Sequence, residues 1–157
     1  MKLTGLIAAT YTPFLKDGSV NLDLIPAMTD YMIDSGVSGF YVCGSTGEGE
    51  SMSVEERKQV ATAFVSATKG RLPVVVQVGH NSVQSACELA SHAAEIGADA
   101  ISTLPPTYFK PANVDLLVDF IARVSSSAPD LPYYYYHIPR MSGVCPDVVE
   151  LMQKACE

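Results

Sequence analysis

Five short, β-rich runs recur about thirty residues apart along this chain, and each is followed by a segment with helical periodicity. They are "LTGLIAAT" (Leu3 to Thr10), "GFYVCG" (Gly39 to Gly44), "PVVVQVG" (Pro73 to Gly79), "DAISTL" (Asp99 to Leu104) and "PYYYYHI" (Pro132 to Ile138). A strand, a helix and a further strand in repetition make a βα array, and right-handed crossovers then give a parallel sheet. Most of the runs are continuously apolar rather than alternating, as expected of strands covered on both faces. A doubly wound sheet and a (β/α)8 barrel share this pattern, and periodicity alone does not separate them. A whole barrel needs about 250 residues. On the barrel reading, residues 1–157 form the amino-terminal portion of one domain, with five of eight units present.

The helices have readable ends. The first is expected from about Leu22, after Asn21, to Gly36, where a residue without Cβ suits a left-handed cap. The second follows Ser53, which stands three residues before Glu56 in the spacing of a capping box. The third carries Ala86, Leu89, Ala90 and Ala93 along one face and ends at Gly97. The fourth spans about Val114 to Ser125, and a fifth is expected to begin at Pro146, a residue favoured at the first helical position.

Composition removes several classes of function. The chain is 48% hydrophobic and 17% charged, enough apolar material for a core. A net charge of −7, with ten dispersed Lys and Arg, argues against a nucleic-acid partner. No apolar stretch approaches the ~20 residues of a membrane span, and the opening "MKLTGLIAATYTPFL" reads as a first strand rather than a signal peptide. Cys43, Cys87, Cys145 and Cys156 lie far apart without paired histidines, so neither zinc nor a disulfide framework is expected. A cytoplasmic location fits that usage.

Two stretches carry chemistry. "CGSTGEGES" follows the second run, and its glycine order is neither the dinucleotide fingerprint nor a Walker loop. Glu48 and Glu50 would also repel phosphate. A smaller anion fits better: Ser45 and Thr46 offer hydroxyls, and backbone N–H groups around Gly44 and Gly47 can form a concavity for a carboxylate. The same residues also suit a plain tight loop leading to Ser53. The other stretch is "LPYYYYHIPR". In a strand, Tyr133 and Tyr135 share one face and Tyr134 and Tyr136 the other. Each buried hydroxyl needs a partner, since an unpaired one costs roughly 1–3 kcal/mol. At least one phenol is therefore expected to do more than pack, while Tyr133 to Tyr135 are expected to satisfy their hydroxyls locally. Tyr41 reads as structural, Cys43 as core, and His80 as paired with loop backbone.

"TPF" after the first run, "GSTGE" after the second, "PPTYFKP" after the fourth and "YYYHIP" closing the fifth, in this order and at these separations, resemble the N-acetylneuraminate lyase and dihydrodipicolinate synthase superfamily. The resemblance covers essentially the whole chain and implies a class I aldolase on a (β/α)8 barrel, without a cofactor or metal. It matches Tyr136 to the catalytic tyrosine. Ser45 and Thr46 match the hydroxyl pair that holds the carboxylate of pyruvate and positions that tyrosine, and Tyr108 matches a tyrosine that reaches a neighbouring subunit's site in some members. The implied partners are a small keto acid and further copies of the chain, tetramers being common in the family. Catalytic groups at the carboxyl ends of strands agree with the barrel reading.

The implied chemistry is cleavage of a sialic acid to pyruvate and an N-acetylhexosamine through a Schiff base. A free phenol titrates near ~10, so Tyr136 would depend on Ser45, Thr46 or a nearby iminium charge to act as a base. In the family the lysine closes the sixth strand. None of Lys2, Lys16, Lys58, Lys69, Lys110 and Lys154 ends a strand in an inward position, so the chain alone is expected to be inactive. Met141 stands where the synthases carry an arginine, which favours the lyase branch, although Arg140 is adjacent. A synthase or related keto-acid aldolase or dehydratase is the alternative within the class. A non-catalytic half-barrel used for binding or assembly is the alternative outside it.

Overall fold

The structure, a computed structural model, describes residues 2–156. Five strands form one sheet: β1 (Ile7–Ala9), β2 (Gly39–Val42), β3 (Val74–Gln77), β4 (Ala100–Thr103) and β5 (Tyr133–Tyr135). Every neighbouring pair is parallel, and the spatial order is the sequence order, β1-β2-β3-β4-β5. That order decides between the two architectures. A doubly wound sheet reverses its strand order at a switch point, whereas a barrel adds each strand beside the last.

The long helices follow the strands as α1 (Ile25–Asp34), α2 (Val54–Thr68), α3 (Val83–Glu95) and α4 (Val114–Ser125), with the short α5 (Pro139–Ser142) and then α6 (Val148–Ala155). Phe40, Val42, Val74, Val76 and Ile101 face this layer and meet Val60, Phe64, Leu89, Leu117 and Val124 in one core. Full burial of each such side chain contributes about 1.5–3 kcal/mol. The Phe40 and Phe64 rings meet at 6.4 Å, which fixes α2 over β2.

Helix ends largely follow the sequence reading. Ser53 and Glu56 form the reciprocal capping box, worth about 1 kcal/mol. Gly36 and Gly97 take positive φ of 85° and 78° after α1 and α3. Three expectations need correction. Leu22–Leu24 is a 3-10 turn, and α1 begins only at Ile25 because Asn21 makes no side-chain cap. Pro146 does not open the last helix: Asp147 caps α6 by accepting from the N–H groups of Val149 and Glu150, which leaves the proline outside. Pro139 instead opens the unforeseen turn α5. The strands are also shorter than the apolar runs, since only three or four residues of each pair in the ladder.

Candidate active site

Register places side chains on the two faces of the sheet. Tyr41, Val75 and Ala100 line up across the face away from the core, followed by Gln77, Ser102 and Tyr134. Tyr133 shares its register with Ile101 and Tyr135 with Thr103, so both phenols join the helix-side core. The run of four tyrosines therefore splits by alternation as expected. Tyr136, one residue past β5, donates its N–H to the Thr103 carbonyl at 2.9 Å, which prolongs the alternation and aligns it with Tyr134.

Tyr41 links the two chemistry-bearing stretches. Its ring lies 5.5 Å from that of Tyr136, and its hydroxyl donates to Ser102 Oγ at 3.1 Å. The same ring supports Gly44, where a Cβ would come within 2.5 Å of a ring carbon. Only glycine lets the backbone cross so closely. A single aromatic ring thus touches both the start of the Gly44–Gly47 turn and Tyr136, at the carboxyl ends of β2 and β5. This is a larger part than the structural one that the sequence suggests for Tyr41.

The turn itself is tightly braced. The Thr12 hydroxyl donates to the Gly47 carbonyl at 2.7 Å, tying the "TPF" segment to it. The Glu48 N–H donates to the Ser45 carbonyl at 3.2 Å, and the Gly49 N–H to the Gly44 carbonyl at 3.1 Å. Cys43 and Glu48 both hold left-handed backbone, φ 59° and 56°, which costs about 1–3 kcal/mol each for non-glycine residues. Ser45 and Thr46 are exposed, and no hydrogen bond among the described residues occupies either hydroxyl. Tyr136 is 41% exposed. The three hydroxyls are open to a ligand.

Other expected residues lie elsewhere. Tyr108 is 78% exposed and packs edge-on against Phe109 at 4.9 Å, with Asn81 Oδ1 accepting its backbone N–H at 3.0 Å. Among the described residues no ring contact or hydrogen bond joins it to Tyr41 or Tyr136. Lys110, Arg140 and Met141 are exposed, and His80 accepts from the Ser82 N–H at 2.9 Å as a loop brace. The expectation of local partners for the packing tyrosines holds for Tyr133, which bonds Thr103. It fails for Tyr135, whose buried hydroxyl has no partner among the described residues.

Arg57, Gln77 and Ser102 escaped the sequence reading. Arg57 had a usable signal: it lies on the same helical face as Val60, Ala61, Phe64 and Thr68, all buried. A cation on an apolar stripe marks a position that must be paired inside.

Burial pushes the Tyr41 phenol up to about 12, opposed by its hydrogen bond to Ser102 and reinforced by Tyr136; burial raises Tyr133 as well. A folded-state value above the ordinary ~10 means that the native protein holds the proton more tightly. The associated stability is complete below ~10 and is lost as pH rises through about 12. Urea midpoints measured across that interval should fall steeply for the wild type and less steeply for Tyr41→Phe.

A family model, "Dihydrodipicolinate synthetase family", matches residues 2–156. The chain belongs to that family, and its sheet is part of a (β/α) barrel. Within it, the N-acetylneuraminate lyase of Danio rerio is 50% identical over 153 residues, 96% of this chain and 50% of that protein. The N-acetylneuraminate lyase of Proteus mirabilis superposes with a TM-score of 0.96 at 44% identity, over 99% of this chain and 52% of that one. A Ruminococcus gnavus sialic acid aldolase, solved as a catalytic lysine mutant, gives 0.90 at 33% identity over 96% and 50%. The chain spans about half the length of these relatives.

Proposed function

We propose that these residues supply the keto-acid-holding half of a Schiff-base aldolase that cleaves N-acetylneuraminate to pyruvate and N-acetylmannosamine. The observation that carries the reading is the convergence of the Gly44–Gly47 turn and Tyr136 on the Tyr41 ring, in a chain half identical to an N-acetylneuraminate lyase. Ser45 and Thr46, with the N–H groups of the turn, hold the carboxylate. A lysine amine from another part of the barrel condenses with the keto carbon and releases water, since no lysine among the described residues closes a strand on the inner face. Tyr136 then takes the proton of the C4 hydroxyl. As the C3–C4 bond breaks, its electron pair passes into the iminium to give an enamine, and the sugar leaves as an aldehyde. Protonation at C3 and hydrolysis release pyruvate and regenerate the amine.

Charge favours this assignment of roles. An iminium beside Tyr136 stabilises its phenolate, the form that accepts the proton. The same reading makes the complete protein a cytoplasmic homo-oligomer, with the exposed Tyr108 ring at a subunit contact. Borohydride reduction in the presence of pyruvate, followed by intact mass, tests the proposal. Residues 1–157 alone should gain no adduct, and a barrel completed through the remaining units should gain one. An adduct on the 157-residue chain, or none on the completed barrel, would contradict it.

A further inference from the structure

The reaction above leaves one charged group unused. Arg57 is 1% exposed and lies in the first turn of α2, which follows the loop after β2. It donates from Nη1 to the Gly79 carbonyl at 2.8 Å and from Nη2 to the Gln77 carbonyl at 2.7 Å, and it also bonds the Gln77 side-chain oxygen. The Gln77 amide in turn donates to Glu50 Oε1 at 3.4 Å, in the 3-10 turn that closes the loop. On the opposite flank the Cys43 thiol approaches the Arg57 carbonyl at 3.7 Å. Both ends of the 43–50 segment are thus tied to one residue of α2.

All acceptors of the guanidinium are neutral. Among the described residues no carboxylate lies within ion-pair distance of it, and its buried Nε has no partner. Removing a cation from water without a counter-ion is costly. Glu50, the nearest acid in this network, is reached only through the Gln77 amide and is exposed to solvent. The guanidinium thus sits at the carboxyl end of β3 with no carboxylate among the described residues in contact, while the charges of Glu48 and Glu50 on the turn are exposed and screened by solvent.

We infer that Arg57 is the positioning residue of this site: its guanidinium holds the 43–50 turn through Gln77 and Glu50, and its charge selects a carboxylate over a neutral group of the same shape. The inference rests on the reading of this turn as the keto-acid carboxylate site. A purely structural brace would hold the turn equally for charged and neutral ligands. An electrostatic role separates the two.

The test is titration of the isotope-labelled 157-residue protein with pyruvate and, separately, with pyruvamide, its uncharged amide, following the backbone amides of Gly44, Gly47 and Gly49. Arg57→Gln should weaken pyruvate about ten-fold and pyruvamide less than about two-fold, as expected for a unit charge acting through a medium of intermediate dielectric. Arg57→Lys, which keeps the charge, should restore most of the preference. Glu50→Gln, at an exposed position that folding tolerates, should strengthen pyruvate about two-fold at low salt, an effect that fades as salt rises. Equal weakening of both ligands by Arg57→Gln would overturn the inference. So would an Arg57→Lys protein that weakens pyruvate and pyruvamide alike, which decides the matter even if Arg57→Gln fails to fold. A wild-type protein that binds neither ligand would defeat the keto-acid reading itself, a different result from wild-type binding that ignores position 57.

Discussion

Replacing Tyr136 with phenylalanine in a complete barrel built on these residues should lower turnover about 100-fold or more while leaving the fold intact. The ring supplies the contact with Tyr41 at 5.5 Å, and phenylalanine keeps it. What disappears is the one hydroxyl of the β5 end that is both open to solvent and placed at the carboxyl edge of the sheet. The loss should therefore fall on kcat, with KM for the sugar acid changed far less, because a proton acceptor acts in the transition state rather than in the bound ground state. Steady-state cleavage rates with matched far-ultraviolet spectra are the measurement. Near-normal turnover would remove Tyr136 from the chemistry and leave it as packing.

The second large effect is steric. A Cβ at Gly49 would stand 1.9 Å from the Cys43 carbonyl oxygen and 2.8 Å from its carbon, both backbone atoms. Neither can rotate away, so Gly49→Ala must push the 43–50 turn off its seat on Tyr41 and Thr12. A cost of about 2–3 kcal/mol in urea unfolding is expected, together with loss of most keto-acid binding. Gly36→Ala is the instructive comparison. Its left-handed φ of 85° is strained for alanine, yet nothing lies within 4 Å of the new methyl group. That variant should lose about 1 kcal/mol of stability and keep its binding. Similar binding in both variants would show that the turn is not held by close contact.

The contrast between these glycines reflects what the sequence could and could not reveal. Gly36 and Gly97 are legible because a helix must end and a residue without Cβ ends it in left-handed backbone. Gly49 is needed for a different reason, the approach of a carbonyl from six residues earlier, and no local rule announces that. The same division runs through the fold. Recurrence of apolar runs gives five parallel strands, but only the paired register gives their order, and with it the barrel rather than the doubly wound sheet. Pro146 shows local preference giving way to a competing cap. Asp147 satisfies two amide groups at once, so the helix starts after the proline.

At the site, the tyrosine run was legible because alternation is a property of any strand. Ser45 and Thr46 read from local sequence as either an anion turn or a plain tight loop, and only the resemblance of four motifs in order matches them to a carboxylate-holding pair. Tyr41 reads only as structural and Arg57 carries no assignment, since their importance comes from partners 95 and 20 residues away, Tyr136 and Gln77. Tyr135 marks the opposite limit. Its buried hydroxyl, without a partner among the described residues, departs from the rule that such groups are paired, and neither sequence nor structure supplies a physical reason for it.

The most direct test is a crystal structure of the complete barrel with pyruvate trapped by reduction. The account predicts the carboxylate within about 3 Å of the Ser45 and Thr46 hydroxyls, with the reduced carbon facing the Tyr136 oxygen across the Tyr41 ring. A carboxylate bound elsewhere, or a Tyr136 hydroxyl turned away from the trapped carbon, would contradict it.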